Sequence, residues 1–319
     1  MFLSYIYSIN GVGLDATKIV LDSILNQTDK DFELILISDV EENSDELNDY
    51  VRDVFWQHDN CKIIENAALQ GVAVSWNAGI ELAEGKYAVF LNASDHVMPN
   101  HVAEIKKAYE KSGEIDVFEY KVHLFGLADS DTKTYVDVNK VYDLKTDQTP
   151  FAYINDLIQA KAFKLDNIKS YQFRFRRFLR YDLLFTYKVL GQATKYMFIE
   201  SDALIEAKIE ETNFSIFDLV NQWPHIFNYY RRINRFRELN DYLIYAYYKI
   251  IVHIWLWWIK KYNNKVLMKK AIAFTQRKFD DKREGFMKTN PIYNAKRDQT
   301  FTQIVENFSK WMKETLKAV

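Results

Sequence analysis

The first hundred residues alternate between short apolar runs of strand length and longer amphipathic stretches of helix length. Since a strand, a helix and a second strand in succession usually return to one parallel sheet, this repeat predicts an α/β fold with a doubly wound, mainly parallel sheet. Ligands of such sheets bind beyond the carboxyl ends of the strands, where the strand order reverses. The predicted strands are 2–9, 32–37, 62–65 and 87–91, and the predicted helices are 16–25, 45–56 and 72–83.

Polar side chains close three of the predicted strands. Ser8 and Asn10 end the first strand, Ser38 and Asp39 end the second, and residues 92–95 (Asn-Ala-Ser-Asp) end the fourth. The chain has neither G-x-G-x-x-G nor G-x-x-x-x-G-K-[ST], so the common glycine loops for dinucleotides and ATP are absent. We therefore expect the chemistry of this protein at these three strand ends.

Charge and composition divide the chain into two regions. Residues 1–100 carry 17 acidic side chains against 5 basic ones, whereas residues 213–319 carry 20 basic against 9 acidic. From residue 214 onward the strand pattern ends, which predicts an all-helical extension. The sequence thus predicts a first domain over 1–212 and a helical, basic and aromatic region over 213–319, with different partners.

Three stretches resemble a known family. They are LDSILNQTDKDFELILISD (21–39), GVAVSWNAGIELAEGKYAVFLNASDHVMP (71–99) and RYDLLFTYKVLGQATKYMFIES (180–201). In these stretches the chain resembles the family 2 inverting glycosyltransferases of the GT-A fold, the bacterial surface-polysaccharide type. The similarity covers about residues 2–212. It implies a nucleotide-diphospho-sugar transferase domain that uses a nucleotide-sugar donor, most simply a UDP-sugar.

The resemblance also shows where this chain departs from the family. The family places carboxylates at the first and third positions of the turn after the fourth strand, where they bind a divalent ion. Asn92 and Ser94 occupy these positions here, and Asp95 follows one residue later. Mg²⁺ and Mn²⁺ prefer hard, charged oxygen ligands such as carboxylates. Because Asn92 and Ser94 carry no charge, we expect metal dependence to be weak or absent. Asp95 with His96 is the remaining candidate pair for a metal.

The residues that match the family's donor contacts are partly retained. An Arg that faces phosphate in the family is replaced by Trp76. Asn77 follows it and is also compatible with a role in helix packing. The nucleotide-sugar contacts implied by the resemblance are Asn10, Ser38, Asp39, Asn77, Asn92, Ser94 and Asp95.

The family's catalytic base matches Asp182. An inverting transfer needs a base within hydrogen-bond reach of the acceptor hydroxyl, and Asp182 is the candidate. The alternative is a structural role, because a carboxylate at the start of a helix interacts favourably with the helix dipole. Four arginines lie just upstream among aromatic residues, which predicts either an acceptor or anionic surface or a solvated face. They are Arg174, Arg176, Arg177 and Arg180.

The segment 242–262 (YLIYAYYKIIVHIWLWWIKKY) is apolar on nearly every face of a helix. It is compatible with a buried core, with a homo- or hetero-oligomer interface, or with peripheral contact to an anionic membrane through Trp255, Trp257 and Trp258. Its apolar stretch is shorter than the roughly 20 residues that a membrane-spanning helix needs, and it contains the charged residue Lys249. Both features argue against a membrane span. No nucleic-acid-binding motif accompanies the basic residues.

Two functions follow as alternatives. The first is an inverting glycosyltransferase that works on a cell-surface polysaccharide, a glycan or a lipid-linked acceptor. The second is a catalytically inactive GT-A pseudoenzyme that binds a glycan or a partner within a glycosylation complex. The start of the chain lacks the pattern of a signal peptide and Cys61 is the single cysteine, so we expect a cytoplasmic protein, with membrane contact, if any, at the inner face.

Overall fold

The computed structural model describes residues 1–9, 12–40, 43–92, 94–176, 183–209 and 214–319. The chain forms two compact units. The sheet unit comprises Met1–Lys145 and Asn155–Ile209, and the helical unit comprises Thr146–Ile154 and Glu210–Val319. This arrangement differs from the predicted division at residue 212 mainly in the segment 146–154, which belongs to the helical unit.

An eight-stranded sheet forms the core of the sheet unit, with the order β3-β2-β1-β4-β10-β6-β11-β9. Its first four strands are parallel, and every residue of β1, β2 and β4 is buried. This confirms the α/β fold and the predicted strands. The bounds are β1 Leu3–Ile9, β2 Phe32–Asp39, β3 Cys61–Asn66, β4 Tyr87–Leu91, β6 Val117–Glu119, β9 Tyr142–Asp143, β10 Lys161–Lys164 and β11 Lys195–Phe198.

The other half of this sheet is mixed, because β10 runs antiparallel to both β4 and β6, and β9 runs antiparallel to β11. A smaller sheet has the order β5-β12-β7-β8. In it, β12 pairs antiparallel with β5 and parallel with β7. The bounds are β5 Asp95–Val97, β7 Val122–Gly126, β8 Ser130–Asp131 and β12 Ile205–Ile209.

Helices connect the parallel strands where the amphipathic pattern predicts them. Ser44 caps α2 by accepting a hydrogen bond from the Leu47 N–H group, as favourable N-cap residues do. Gly79 lets α3 approach β1, since an added Cβ would lie 2.4 Å from Ile6 Cγ2. The helices of this unit are α1 Leu14–Leu25, α2 Asp45–Gln57, α3 Val72–Leu82, α4 His101–Ser112, α6 Leu165–Ser170 and α7 Leu183–Gln192.

The helical unit contains helices throughout its described part, which confirms the predicted C-terminal helical region. The segment 146–154 joins it because Phe151 packs edge-on against Tyr230, and Tyr153 against Tyr245. The helices are α5 Pro150–Tyr153, α8 Asp218–Asn221, α9 Trp223–Arg232, α10 Phe236–Lys249, α11 Trp255–Lys261, α12 Lys265–Thr289, α13 Pro291–Asn294, α14 Gln299–Glu306 and α15 Phe308–Lys317, with a 3-10 helix over Phe214–Phe217.

The aromatic segment 242–262 lies mostly in the core of the helical unit. It spans α10 and α11, with a π-helical turn over Ile250–Ile254 between them. Trp255 and Trp258 are 2% and 3% exposed, and of the three tryptophans only Trp257 is not buried. The three therefore do not form one exposed aromatic surface. No helix within the described ranges is both long and apolar enough to cross a bilayer.

Candidate functional site

The carboxyl ends of β1, β2 and β4 lie at one edge of the large sheet. The strand order reverses here, because β2 lies on one side of β1 and β4 lies on the other. This is the position where doubly wound sheets bind ligands. Asn10, the predicted contact that follows β1, lies outside the described residues. The predicted site residues that the structure brings to this edge are Ser38, Asp39, Asn92, Ser94 and Asp95.

Asp39 is the last residue of β2, and its side chain is completely buried. Its Oδ1 accepts a hydrogen bond from Asn66 Nδ2 (2.8 Å). Its Oδ2 accepts from the backbone N–H groups of Gln70 (3.1 Å) and Gly71 (3.3 Å). Gly71 is the N-cap of α3, so the carboxylate also faces the positive end of the helix dipole. Asp39 therefore fixes the connection between β3 and α3.

The side-chain amide of Asn43 contacts the carboxyl end of β2. Ser38 Oγ accepts a hydrogen bond from Asn43 Nδ2 (2.7 Å), and Asn48 Nδ2 donates to the Val40 carbonyl (3.1 Å). Asn43 Oδ1 is buried and has no hydrogen-bond partner in the described part of the chain. An amide oxygen of this kind can accept from a nucleobase N–H or a sugar hydroxyl. Asn43 was not predicted from the sequence because it lies in a loop beyond the strand, and only the fold brings it back to Ser38.

The turn after β4 is closed by its own acidic side chain. Asp95 is 2% exposed, and its Oδ2 accepts a hydrogen bond from the Asn92 N–H group (2.6 Å). Its Oδ1 accepts from Gln159 Nε2 (3.5 Å), and its own N–H group donates to the Asn92 carbonyl (3.2 Å). The carboxylate of Asp95 is therefore committed to the shape of the turn.

The described residues of this turn do not fit a divalent metal ion. Asp95 and His96 are consecutive on β5, so their side chains point to opposite faces of the strand. His96 instead lies with its Nδ1 3.6 Å from Glu206 Oε2. Asn92 and Ser94 carry no charge, and no group of three or more His, Cys, Asp or Glu within the described ranges could hold a metal. The proposed Asp95 and His96 pair thus does not form a shared site.

A buried polar cluster lies behind the turn. Tyr5 Oη and His101 Nδ1 are 2.7 Å apart, and the Tyr120 ring packs edge-on against the imidazole. Burial raises the pKa of Tyr120, and the nearby negative charge of Asp95 adds to this. Burial also lowers the pKa of His101 to about 3. The imidazole is therefore neutral at physiological pH.

We expect His101 to make the protein less stable as the pH falls below about 6.5, the pKa of a histidine in an unfolded chain. Below this pH the unfolded chain binds a proton that the folded chain does not, until the pH approaches 3. The free energy of unfolding should therefore fall by about 1.4 kcal/mol per pH unit from this residue. Urea unfolding measures the free energy of unfolding at pH 7 and at pH 5. The decrease between these two pH values should be about 2 kcal/mol smaller in His101→Gln than in the parent.

The matched control for this experiment is His58→Gln, at the carboxyl end of α2. It replaces a histidine outside the buried cluster and measures how much of the difference comes from replacing a histidine in general. Equal pH dependence in the parent and in His101→Gln would contradict the assignment of a neutral, buried imidazole to His101.

Two residues of α3 serve packing in this structure. Asn77 Nδ2 donates to the Phe175 carbonyl (2.9 Å), and Asn77 Oδ1 accepts from the Phe175 N–H group (2.8 Å). Trp76 is buried, donates from Nε1 to the Leu91 carbonyl (3.2 Å) and packs against Phe90 and Phe175. The position that carries a phosphate-facing Arg in the resembled family is thus filled by an aromatic core. Asn77 holds the start of the arginine cluster against α3.

The arginine cluster and the predicted base are only partly described. Arg174 pairs with Glu81 and donates to the Phe173 carbonyl, whereas Arg176 is exposed. Arg174 therefore has a structural ion pair. The remaining predicted residues of this segment, Arg177, Arg180 and Asp182, lie outside the described residues.

Two buried residues of opposite charge type, Glu119 and Lys161, were also not predicted from the sequence. Glu119 and Lys161 are register partners on β6 and β10. Burial raises the pKa of Glu119 although Lys161 opposes this, and burial lowers the pKa of Lys161. Glu119 Oε2 accepts from Tyr196 Oη (3.1 Å), and Lys161 Nζ donates to the Asn155 carbonyl (2.8 Å). An isolated Glu at the end of a short strand gave no signal of this pairing.

The arrangement of sheets and the polar strand ends define a GT-A-type nucleotide-diphospho-sugar transferase fold. Residues 12–155 match the model of the family described as Glycosyl transferase family 2. This match covers just under half of the chain and confirms the resemblance seen in the sequence.

One individual relative agrees with this match. An uncharacterized glycosyltransferase of Methanocaldococcus jannaschii, MJ1057, is 29% identical over 97 residues. This match spans about a third of that relative, 33% of its length, and 30% of the present chain.

Solved structures show the same fold. Residues 1–349 of TarS from S. aureus superpose with a TM-score of 0.58 at 16% identity, covering 79% of this chain and 80% of that one. The same TarS fragment has been solved in complex with UDP-GlcNAc. The mannosyltransferase PcManGT from Pyrobaculum calidifontis, solved with GDP-Man and Mn²⁺, superposes with a TM-score of 0.55 at 12% identity, covering 99% of this chain and 85% of that one.

Proposed function

We propose that this protein transfers a sugar, with inversion, from a nucleotide-sugar donor to a cell-surface polysaccharide or another glycan acceptor. The observation that carries the proposal is the polar edge at the strand-order reversal, inside a family 2 glycosyltransferase domain. UDP-sugars are the first donors to test, since TarS has been solved with UDP-GlcNAc. The acceptor is a glycan or a lipid-linked glycan.

The residues at the carboxyl ends of β2 and β4 provide the contacts to the nucleotide-sugar donor. Asn43 Oδ1 supplies a buried acceptor for the base or the ribose, and Asp39 holds the neighbouring loop in place. Asn92 and Ser94 face the diphosphate with neutral polar groups. Because Asp95 closes its own turn, a divalent ion contributes weakly or not at all.

Asp182 acts as the base of the transfer. It takes the proton of the acceptor hydroxyl while that oxygen bonds to the anomeric carbon, and the bond from this carbon to the nucleoside diphosphate breaks. The arginine cluster upstream offers positive charge for an anionic acceptor or for the leaving diphosphate. The protein works in the cytoplasm, at the inner face of the membrane when its acceptor is lipid-linked. If it is an inactive subunit, it works as part of a homo- or hetero-oligomer.

A second function is favoured by the packing around the turn. Trp76 fills the position of a phosphate-facing Arg with an aromatic core, and Asp95 offers no free carboxylate. Both features suit a catalytically inactive GT-A subunit that binds a glycan or a partner protein in a glycosylation complex.

A donor panel distinguishes the two functions. Purified protein is incubated with UDP-sugars and GDP-mannose, and release of the nucleoside diphosphate is measured with and without glycan acceptors. Turnover that disappears in Asp182→Asn supports the enzyme with Asp182 as its base, while turnover that persists in this variant rejects the assigned base. Absence of turnover with every donor, together with retained binding of glycan, supports the inactive subunit.

A further inference from the structure

The helical unit forms a partly open cavity of about 390 Å³ between the 3-10 helix Phe214–Phe217, α8, α11 and α12. Its apolar walls are Phe217, Val220, Trp255 and Phe274. Phe217 and Phe274 each pack edge-on against the Trp255 indole, with ring centroids 5.7 and 5.5 Å apart. The volume lies within the range of about 300–1,000 Å³ that is usual for small-molecule sites, at its lower end.

Trp255 lines this cavity and carries a hydrogen-bond donor that has no partner among the described residues. The indole is 2% exposed, and its Nε1 is buried with no hydrogen-bond partner in the described part of the chain. Buried indole N–H groups usually have a partner, because burying a donor without one costs free energy. A ligand oxygen that reached the edge of the indole ring would supply the acceptor.

The other wall of the cavity is positively charged. Lys270 and Arg277 line it from α12, one on each side of Ala273, and both side chains are exposed to solvent. Neither forms an ion pair with a residue that the structure describes. The lining contains no carboxylate, so the charge at the cavity is positive and favours an anion.

We propose that this cavity binds a small single-chain amphiphile with an anionic head. The apolar chain enters between the aromatic rings, and the oxygens of a phosphate or carboxylate head meet Lys270, Arg277 and the Trp255 N–H group. Since every lining residue belongs to the helical unit, the proposal is independent of the donor site and of catalysis.

The test uses the full chain and octyl phosphate as the probe, titrated by calorimetry. Octanol provides the chain alone, and inorganic phosphate provides the head alone. We expect saturable binding of one octyl phosphate, with both partial probes at least about tenfold weaker. Trp255→Phe, which removes the donor but retains an aromatic ring, and the pair Lys270→Gln with Arg277→Gln should each weaken octyl phosphate about tenfold. Ala273→Trp should abolish its binding by filling the cavity.

The matched control is the pair Lys269→Gln with Lys282→Gln, which removes the same charge from exposed positions of α12 outside the cavity. It should bind octyl phosphate like the parent, and thermal unfolding checks that each variant is folded. Failure of the parent to bind octyl phosphate, equal affinity for octanol, or an equal loss in the control pair would overturn the proposal. So would binding to phosphatidylglycerol vesicles without binding of monomeric octyl phosphate, because that result indicates a membrane-binding surface.

Discussion

Replacing Asp39 by alanine is expected to lower the free energy of unfolding by about 3 kcal/mol or more. The carboxylate accepts hydrogen bonds from Asn66 Nδ2 and from the N–H groups of Gln70 and Gly71. Hydrogen bonds to a charged group contribute about 1.5–3 kcal/mol each, and donors left buried without a partner add to the loss. Urea unfolding of the parent and the variant measures the difference.

The loss of Asp39 should also weaken nucleotide binding, because the loop that it holds borders the proposed donor site. Asp53→Ala is the control, since Asp53 is exposed on α2, and its free energy of unfolding should change by less than about 0.5 kcal/mol. If Asp39→Ala bound UDP more weakly with unchanged stability, Asp39 would act on the ligand alone, and its assigned role in the loop would be wrong.

Lys249→Met should destabilise the helical unit by about 3–5 kcal/mol, because it leaves a buried carboxylate without its partner. Lys249 Nζ lies 2.8 Å from Asp298 Oδ2, and Asp298 is completely buried. Burial by itself raises the pKa of Asp298, but Lys249 outweighs this and the pKa is lowered. Asp298 Oδ1 also caps α14 by accepting from the Phe301 N–H group (2.9 Å).

The double variant Lys249→Met with Asp298→Asn should recover most of this loss, since asparagine is neutral and can still cap α14. Lys288→Met, at an exposed position of α12, should change the free energy of unfolding by less than about 0.5 kcal/mol. If the double variant were as unstable as Lys249→Met, the loss would come from packing of the lysine stem, and the electrostatic explanation would fail.

The parallel half of the sheet was predictable because each of its elements carries a local pattern. The predicted strands 32–37 and 87–91 match β2 Phe32–Asp39 and β4 Tyr87–Leu91. Strands buried on both faces are continuous apolar runs, and the helices between them are amphipathic, so each can be recognised within a short window. The antiparallel strand β10 Lys161–Lys164 was not predicted, because a four-residue strand offers no such window.

The roles of single polar residues were less predictable, because they depend on partners far away in the chain. Asn77 was assigned to the donor by its match to the family, but its amide pairs with the backbone of Phe175, 98 residues later. Asp95 and His96 were paired as neighbours in sequence, and strand geometry separates them. Lys249 appeared in the sequence as a charge within an apolar run, and its partner Asp298 lies 49 residues away.

The most direct test addresses the proposal that this GT-A domain binds a nucleotide without a divalent metal ion, because Asp95 is used by its own turn. Calorimetric titration of UDP into the protein, once with EDTA and once with Mn²⁺, tests this directly. We expect measurable binding of UDP in EDTA, with a Kd that changes less than about twofold when Mn²⁺ is added. Binding that requires Mn²⁺, or no binding of UDP at millimolar concentration under either condition, would contradict it.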